Sequence, residues 1–165
     1  MSEPALSFND FLLAVDPAYR TFAENINSFL LKNGCVFKME QAKNGYVVSY
    51  SFAKTKRVLL NFVFRKSGLV ARIYADFVNS YPEFTETAPD AVIAVIDKAP
   101  ICKRLSNTAP CNSRCPMGYA FSIKGKSYIK CRYNCFLIPV NDATVSFLQA
   151  FIENEFKARQ AAVEI

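Results

Sequence analysis

The spacing of apolar residues changes along the chain, and it begins with a helical pattern. In residues 16–34 apolar side chains recur every three or four positions, which indicates one buried face of a helix: Tyr19, Phe22, Ile26, Phe29 and Leu30. Asp16 and Pro17 are typical of a helix N-cap and first helical residue, and Gly34 is typical of a helix end. A shorter helical turn is predicted around residues 8–15.

From residue 35 to residue 75 the period becomes two. Apolar residues alternate with others in the runs 46–52, 58–64 and 69–75, and residues 35–41 are expected to form the strand before them. The connections are short and turn-like, as at Asn44-Gly45 and Ser67-Gly68. Since parallel strands need a crossover of about a dozen residues, this region predicts an antiparallel meander of about four strands.

The second half of the chain mixes helices with a further hairpin. Short helices are predicted at 76–81 and 89–98, a hairpin at 119–131 and an extended piece at 133–140. A final helix is predicted from 141 to about 158, with Arg159 among its solvent-facing residues. The sequence therefore predicts one α+β domain over residues 1–165, with helices packed on one face of an antiparallel sheet of four or more strands, plus a Cys-rich loop and a second hairpin.

Composition indicates a folded protein that stays in the cytoplasm. Apolar residues make up 52% of the 165 residues, and 15 Phe and 8 Tyr supply a large core. The N-terminus does not resemble a signal peptide, and no stretch approaches the ~18 apolar residues of a membrane span. Because cytoplasmic thiols stay reduced, the six cysteines are expected to be metal ligands or core residues, not disulfides.

Five of the cysteines lie in the second half, spaced Cys102-x8-Cys111-x3-Cys115-x15-Cys131-x3-Cys135. A close pair with two to four intervening residues, joined by ligands from elsewhere, is typical of zinc sites made of thiolates. The residues around Cys111 and Cys115 are rich in turn formers. We therefore predict a zinc site formed by Cys102, Cys111, Cys115 and Cys131. Four thiolates complete the coordination shell, so such a site is structural.

The choice between Cys131 and Cys135 depends on the local backbone. In an extended segment at ~3.3 Å per residue their Cα atoms lie about 13 Å apart. Sulfur atoms bound to one zinc ion lie only about 3.8 Å apart, so a strand cannot supply both. Cys135 is also flanked by Phe136 and Leu137 and is expected to be a core residue. The rival set, Cys111, Cys115, Cys131 and Cys135, requires a turn at 131–135. Cys35 is expected to be a small buried residue, and free thiols without any metal are the competing interpretation of the whole group.

The absence of histidine removes several reaction classes. Ser-His-Asp and Cys-His hydrolases and His-ligated metalloenzymes are excluded, and no phosphate-binding glycine loop is present. No pair of carboxylates stands out. The leading interpretation is a binding or interaction module with an unidentified ligand or protein partner, and an enzyme using carboxylate or thiol chemistry is an alternative.

Charge offers a further alternative, a nucleic-acid-binding module. The net charge is +6, and basic residues cluster at two hairpins: Lys54, Lys56 and Arg57 at one, and Lys124, Lys126, Lys130 and Arg132 at the other. Aromatic residues are interleaved with the second group: Tyr119, Phe121, Tyr128 and Tyr133. Basic and aromatic side chains together are typical of single-strand binding. The competing interpretation is that the rings face the core and the lysines protect exposed strand edges.

The motifs from residue 45 to residue 133 resemble a group of small bacterial proteins. The matching stretches are 45–51, 59–73, Cys102-Lys-Arg-Leu105, Cys111-Asn-Ser-Arg-Cys-Pro-Met-Gly-Tyr119 and Tyr128-Ile-Lys-Cys-Arg-Tyr133. The first half, a leading helix followed by an antiparallel sheet, also resembles YdhG-like domains. No reaction is assigned to either group, so the resemblance implies a fold but no activity.

Overall fold

A computed structural model describes residues 4–164 and contains two antiparallel sheets. The strands are β1 (Val36–Ala42), β2 (Gly45–Phe52), β3 (Arg57–Arg65), β4 (Gly68–Ile73), β5 (Tyr119–Ile123), β6 (Lys126–Lys130) and β7 (Leu137–Pro139). The large sheet has the order β1-β2-β3-β4-β7, and β5 pairs with β6 in a separate hairpin. The predicted meander is confirmed, and β7 adds a fifth strand beside β4.

The first two helices lie where they were predicted, and the last helix runs further towards the C-terminus than predicted. They are α1 (Phe8–Ala14), α2 (Arg20–Lys32), α3 (Pro82–Thr85), α4 (Asp90–Lys98) and α5 (Val145–Val163). The Asp16 carboxylate accepts the Ala18 N–H at 2.9 Å and caps a short 3-10 turn before α2. The helix expected at 76–81 is only a 3-10 turn at 78–80. No helix in residues 4–164 is long and apolar enough to cross a lipid bilayer.

Aromatic rings join the first and last helices to the large sheet. Phe11 stacks on Phe62 of β3 with ring centroids 5.6 Å apart, and Phe22 meets the same ring edge-on at 6.0 Å. Phe156 of α5 meets Phe52 of β2 at 5.7 Å. Helices thus bury the apolar face of an antiparallel sheet, and the predicted α+β class is confirmed.

The second hairpin is attached through Phe136, whose side chain is almost fully buried. Its ring lies 5.3 Å from Tyr119, 5.4 Å from Phe121 and 5.0 Å from Phe151 of α5. The hairpin therefore turns its rings towards the core and leaves its other side to solvent.

Two charged residues of α5 are buried, contrary to the prediction that Arg159 faces solvent. Arg159 is 3% exposed, and its guanidinium donates to the carbonyl oxygens of Val58 and Tyr74 at 3.1 and 2.6 Å. Its Nε donates to Glu155 at 2.8 Å, and the same carboxylate accepts the Tyr81 hydroxyl at 2.6 Å. The arginine is drawn inward because these carbonyl groups at the end of the sheet need donors.

The prediction of an extended segment at 133–140 is wrong for the first half of that segment. Only residues 137–139 form a strand. Before it, the Cys131 carbonyl accepts the N–H groups of Asn134 and Cys135 at 3.2 and 2.9 Å, so residues 131–135 form a turn. The geometric argument that set Cys131 and Cys135 about 13 Å apart therefore does not apply.

Candidate metal centre

Cys102, Cys111, Cys115 and Cys131 all line one cavity of about 260 Å³. They reach it from three separate parts of the chain: the stretch after α4, the loop before β5, and the end of β6. Cys102 is buried, Cys115 and Cys131 are half-buried, and Cys111 is exposed. All six cysteines of the protein are free thiols.

Backbone pairing brings Cys102 and Cys131 together. Ile101 forms an isolated antiparallel bridge with Lys130 at the edge of β6. On either side of this bridge, the Cys102 N–H donates to the Ile129 carbonyl at 3.3 Å and the Cys131 N–H donates to the Pro100 carbonyl at 2.9 Å. The two cysteines are therefore diagonal neighbours, a position in which side chains on one face of a pair come within reach of each other.

A tight turn presents Cys111 and Cys115. The Asn112 side-chain oxygen accepts the Arg114 N–H at 3.0 Å, and the Asn112 carbonyl accepts the Cys115 N–H at 3.1 Å. Arg104 then ties this turn to the first cysteine stretch, because its guanidinium donates to the Cys115 carbonyl at 2.6 Å. Sequence reasoning gave Arg104 no role.

Arg132 holds the other side of the loop. It is 6% exposed and forms an ion pair with Asp76 at 2.9 Å. Its guanidinium carbon lies 5.2 Å from the Tyr74 ring and 5.5 Å from the Tyr119 ring, and it donates to the Met117 carbonyl at 3.1 Å. A planar cation held between two rings is a rigid anchor, so the loop is fixed where it passes the cavity.

The Cys102 sulfur is placed to carry a negative charge. Its burial raises the pKa, but hydrogen bonds from the backbone N–H groups of Leu105, Gly118 and Arg104 lower it, and the net shift is downward. Hydrogen bonds to the charged form stabilise that form, as a metal-bound thiolate requires. One of these donors, Gly118, lies so close to the Cys102 side chain that a β-carbon there would lie 3.1 Å from its sulfur.

Cys135 and Cys35 lie elsewhere. Cys135 has no solvent exposure, belongs to the hydrophobic core and does not line the cavity. Burial raises its thiol pKa far above the ordinary range, and burial raises the pKa of Cys35 to about 11. Both thiols are therefore held in the protonated form that does not bind metal, as expected of core residues.

The donor atoms around the cavity are of the type that zinc prefers, but they are not yet spaced as zinc ligands. Four cysteine sulfurs around one cavity, one of them with a lowered thiol pKa, are the donor type that a structural zinc site uses. In residues 4–164, however, no group of three or more Cys, Asp or Glu side chains is arranged to hold a metal ion as it stands. Metal binding would therefore require the sulfur atoms to draw together, and Cys111 is the most exposed of the four cysteines.

The second hairpin does not offer the surface that was predicted to bind nucleic acid. Tyr119, Phe121 and Tyr128 are buried, so they offer no stacking surface. Lys126 pairs with Asp97 at 2.9 Å. Among the aromatic residues predicted to bind, Tyr133 is exposed, at 43% of its surface.

Glu155 is a buried carboxylate outside the candidate metal centre, and its contacts are structural. Burial raises the pKa of Glu155, although Arg159 opposes the shift. Its oxygens are occupied by Arg159, Tyr81 and the Phe77 N–H. It lines neither of the two cavities beside α5, of about 490 and 280 Å³. These contacts are those of a structural ion pair.

Comparison with protein-family models, with curated proteins and with solved structures finds no match to this chain.

Proposed function

We propose that this protein is a cytoplasmic binding or interaction module whose Cys-rich loop is fastened by one structural zinc ion. The ligands of this proposed site are Cys102, Cys111, Cys115 and Cys131. The observation that carries the proposal is that these four cysteines, from three parts of the chain, line one cavity.

The loop itself gives a physical reason for a metal. Residues 103–118 contain no helix or strand, and none of their side chains is buried. A loop without a core must be held by other means, and in this protein those are polar contacts such as those of Arg104 and Arg132. A zinc ion bound by four thiolates would add the strongest of these ties and would supply no open position for catalysis.

Surrounding charge also suits such a centre. Four thiolates and one zinc ion carry two net negative charges, which need nearby cations or hydrogen-bond donors. Lys103 and Arg104 follow Cys102 directly, Arg114 precedes Cys115, and Arg132 follows Cys131. Three of the four thiolates thus have a basic residue next to them in the chain.

The test is the zinc content of protein purified without chelators, measured by mass spectrometry of the metal. We expect about one zinc ion per chain, as for a closed structural site. Replacing the zinc by cobalt should give the intense visible bands of a tetrahedral sulfur site. Zinc far below one per chain after gentle purification would show that the four thiols are only neighbours.

Single replacements identify the ligands. We expect Cys102→Ser and Cys115→Ser to lose zinc, while Cys35→Ala keeps it and serves as the matched control. The rival ligand set is tested in the same series, because it predicts that Cys135→Ala loses zinc and that Cys102→Ser does not.

A further inference from the structure

The positive charge of this protein is concentrated in one segment. Residues 98–141 contain eight basic residues and no acidic residue: Lys98, Lys103, Arg104, Arg114, Lys124, Lys126, Lys130 and Arg132. The rest of the chain has slightly more acidic than basic residues, so the segment accounts for the whole net charge of +6. The Cys-rich loop lies inside this segment.

Most of this charge is not neutralised within the protein. Lys126 pairs with Asp97 and Arg132 pairs with Asp76. Even when a zinc site with two net negative charges is added, four positive charges remain in excess. No carboxylate within residues 4–164 forms an ion pair with the loop cations Lys103, Arg104 and Arg114.

An exposed aromatic ring shares the cavity with Lys103 and Arg104, and the third cation, Arg114, precedes Cys115, which also lines it. Tyr133 lines the same cavity as Arg104 and is 43% exposed. It meets the Tyr74 ring edge-on at 6.1 Å, and its carbonyl accepts the Arg72 Nε–H at 2.9 Å. The backbone of Tyr133 is thus tied to β4 and one side of its ring is packed, which lowers the entropy cost of ordering the ring on binding.

We propose that the loop surface formed by Lys103, Arg104, Arg114 and Tyr133 binds single-stranded nucleic acid. The cations match the phosphates of the backbone, and the exposed ring offers a face on which an unpaired base stacks. An acidic protein would satisfy the cations but would not use the ring, and a duplex keeps its bases inside. The inference rests on the proposed zinc site only for the order of the loop that carries three of the four residues, since the cations and the ring belong to the chain itself.

Fluorescence anisotropy with a labelled 20-nucleotide RNA of mixed sequence tests this proposal, with the same sequence as single-stranded DNA and as duplex. We expect zinc-loaded protein to bind both single strands more tightly than the duplex, with an affinity that falls as salt rises. Lys103→Ala and Arg114→Ala each remove one cation that pairs with a phosphate, so each should reduce the slope of log affinity against log salt by about 0.7. Lys66→Ala, in the turn between β3 and β4, should leave the slope unchanged.

The ring is tested separately from the charges. Tyr133→Ala should weaken binding about ten-fold or more, and Tyr133→Phe should preserve it, since stacking needs the ring and not the hydroxyl. Absence of binding at low salt, equal binding of the duplex, complete competition by polyglutamate, or an equal effect of Lys66→Ala would overturn the inference.

Zinc measured on the same samples separates the two proposals. Full zinc without RNA binding refutes the nucleic-acid surface alone and leaves the metal site intact. RNA binding by a protein that holds no zinc refutes the metal site, and the surface then stands on its charges and ring.

Discussion

Replacing Gly118 by alanine perturbs the point at which the loop passes Cys102. A β-carbon at this position would lie 2.9 Å from the Cys102 Cβ and would overlap the carbonyl oxygen of Lys130. Gly118 has no left-handed backbone conformation that demands glycine, so close approach alone explains the residue. The obstructing atom belongs to the backbone of β6, so a rotamer change cannot remove the clash.

The expected magnitude follows from two contributions. Forcing an extra carbon into a closely packed position costs about 1–3 kcal/mol. Displacing the loop also lengthens the hydrogen bond from the Gly118 N–H to the Cys102 thiolate, and a hydrogen bond to a charged group is worth about 1.5–3 kcal/mol. We expect Gly118→Ala to lower the free energy of unfolding by about 2.5–6 kcal/mol. Zinc affinity should fall by about 10–100-fold, as for other groups that support a metal ligand.

Gly125→Ala is the matched control for this change. Gly125 lies in the turn between β5 and β6 with φ +78°, and nothing lies within 4 Å of an added β-carbon. Its cost comes from the backbone alone, about 1–2 kcal/mol. Urea unfolding followed by circular dichroism gives the stability of each variant, and competition with a coloured chelator gives its zinc affinity. If Gly118→Ala binds zinc as tightly as the unchanged protein while remaining folded, the contact between loop and Cys102 is wrong.

Two further predictions concern buried ionisable groups. Glu155→Gln should destabilise the protein by about 1.5–3 kcal/mol in urea unfolding, because the buried Arg159 loses its partner at 2.8 Å and keeps only the longer contact to Asp76 at 3.5 Å. Glu153→Gln should stay within about 0.5 kcal/mol, and equal effects of the two changes would refute the buried pair. In zinc-free protein, thiolate absorbance should show Cys102 titrating at a lower pH than an ordinary thiol, because its pKa is lowered, and Cys35 titrating with a pKa of about 11. Because the folded pKa of Cys102 is lowered, this thiol stabilises the fold above its unfolded pKa, and the effect disappears as the pH falls through the folded pKa. An unchanged titration curve in Cys102→Ser would contradict the assignment.

The meander could be predicted because its signals are local. Alternating apolar residues define each strand, and the turns at Gly45 and Gly68 both use φ values above +110°, which favour glycine. Register then follows from turn position, as in the pairing of Arg65 with Gly68. Each of these features needs only neighbouring residues.

Long-range contacts decided the features that prediction missed. Strand β7 has only three residues, too few to show a period, and it forms because β4 offers a free edge. Arg159 lies on a helix face that is polar in sequence, yet the carbonyl oxygens it satisfies belong to residues about 100 and 85 positions away. The residue pattern within a helix cannot show that distant carbonyl oxygens need a hydrogen-bond donor.

The candidate site shows the same division. Residue type and spacing were enough to predict four cysteines as zinc ligands. Because these cysteines are far apart in the sequence, the sequence could not show whether they share a cavity. One reason for setting Cys135 aside, an extended backbone, was wrong, since residues 131–135 form a turn. The other reason, that Cys135 belongs to the core, is confirmed by its complete burial. The supporting roles of Arg104, Arg132 and Gly118 carry no sequence signal beyond a basic or small residue beside a cysteine.

The energetics of the loop connect the proposed metal with the proposed binding surface. Fixing the backbone of the sixteen residues 103–118 costs at least ~16 kcal/mol, and none of their side chains is buried to offset it. A structural zinc ion contributes about 10–16 kcal/mol, which is of the same order. A loop held in this way needs no side chain for a core, although the Arg104 guanidinium also donates to the Cys115 carbonyl. The loop can therefore carry basic residues at its surface in fixed positions: Lys103, Arg104 and Arg114. If the loop were held by an apolar core of its own, apolar residues would be needed in their place.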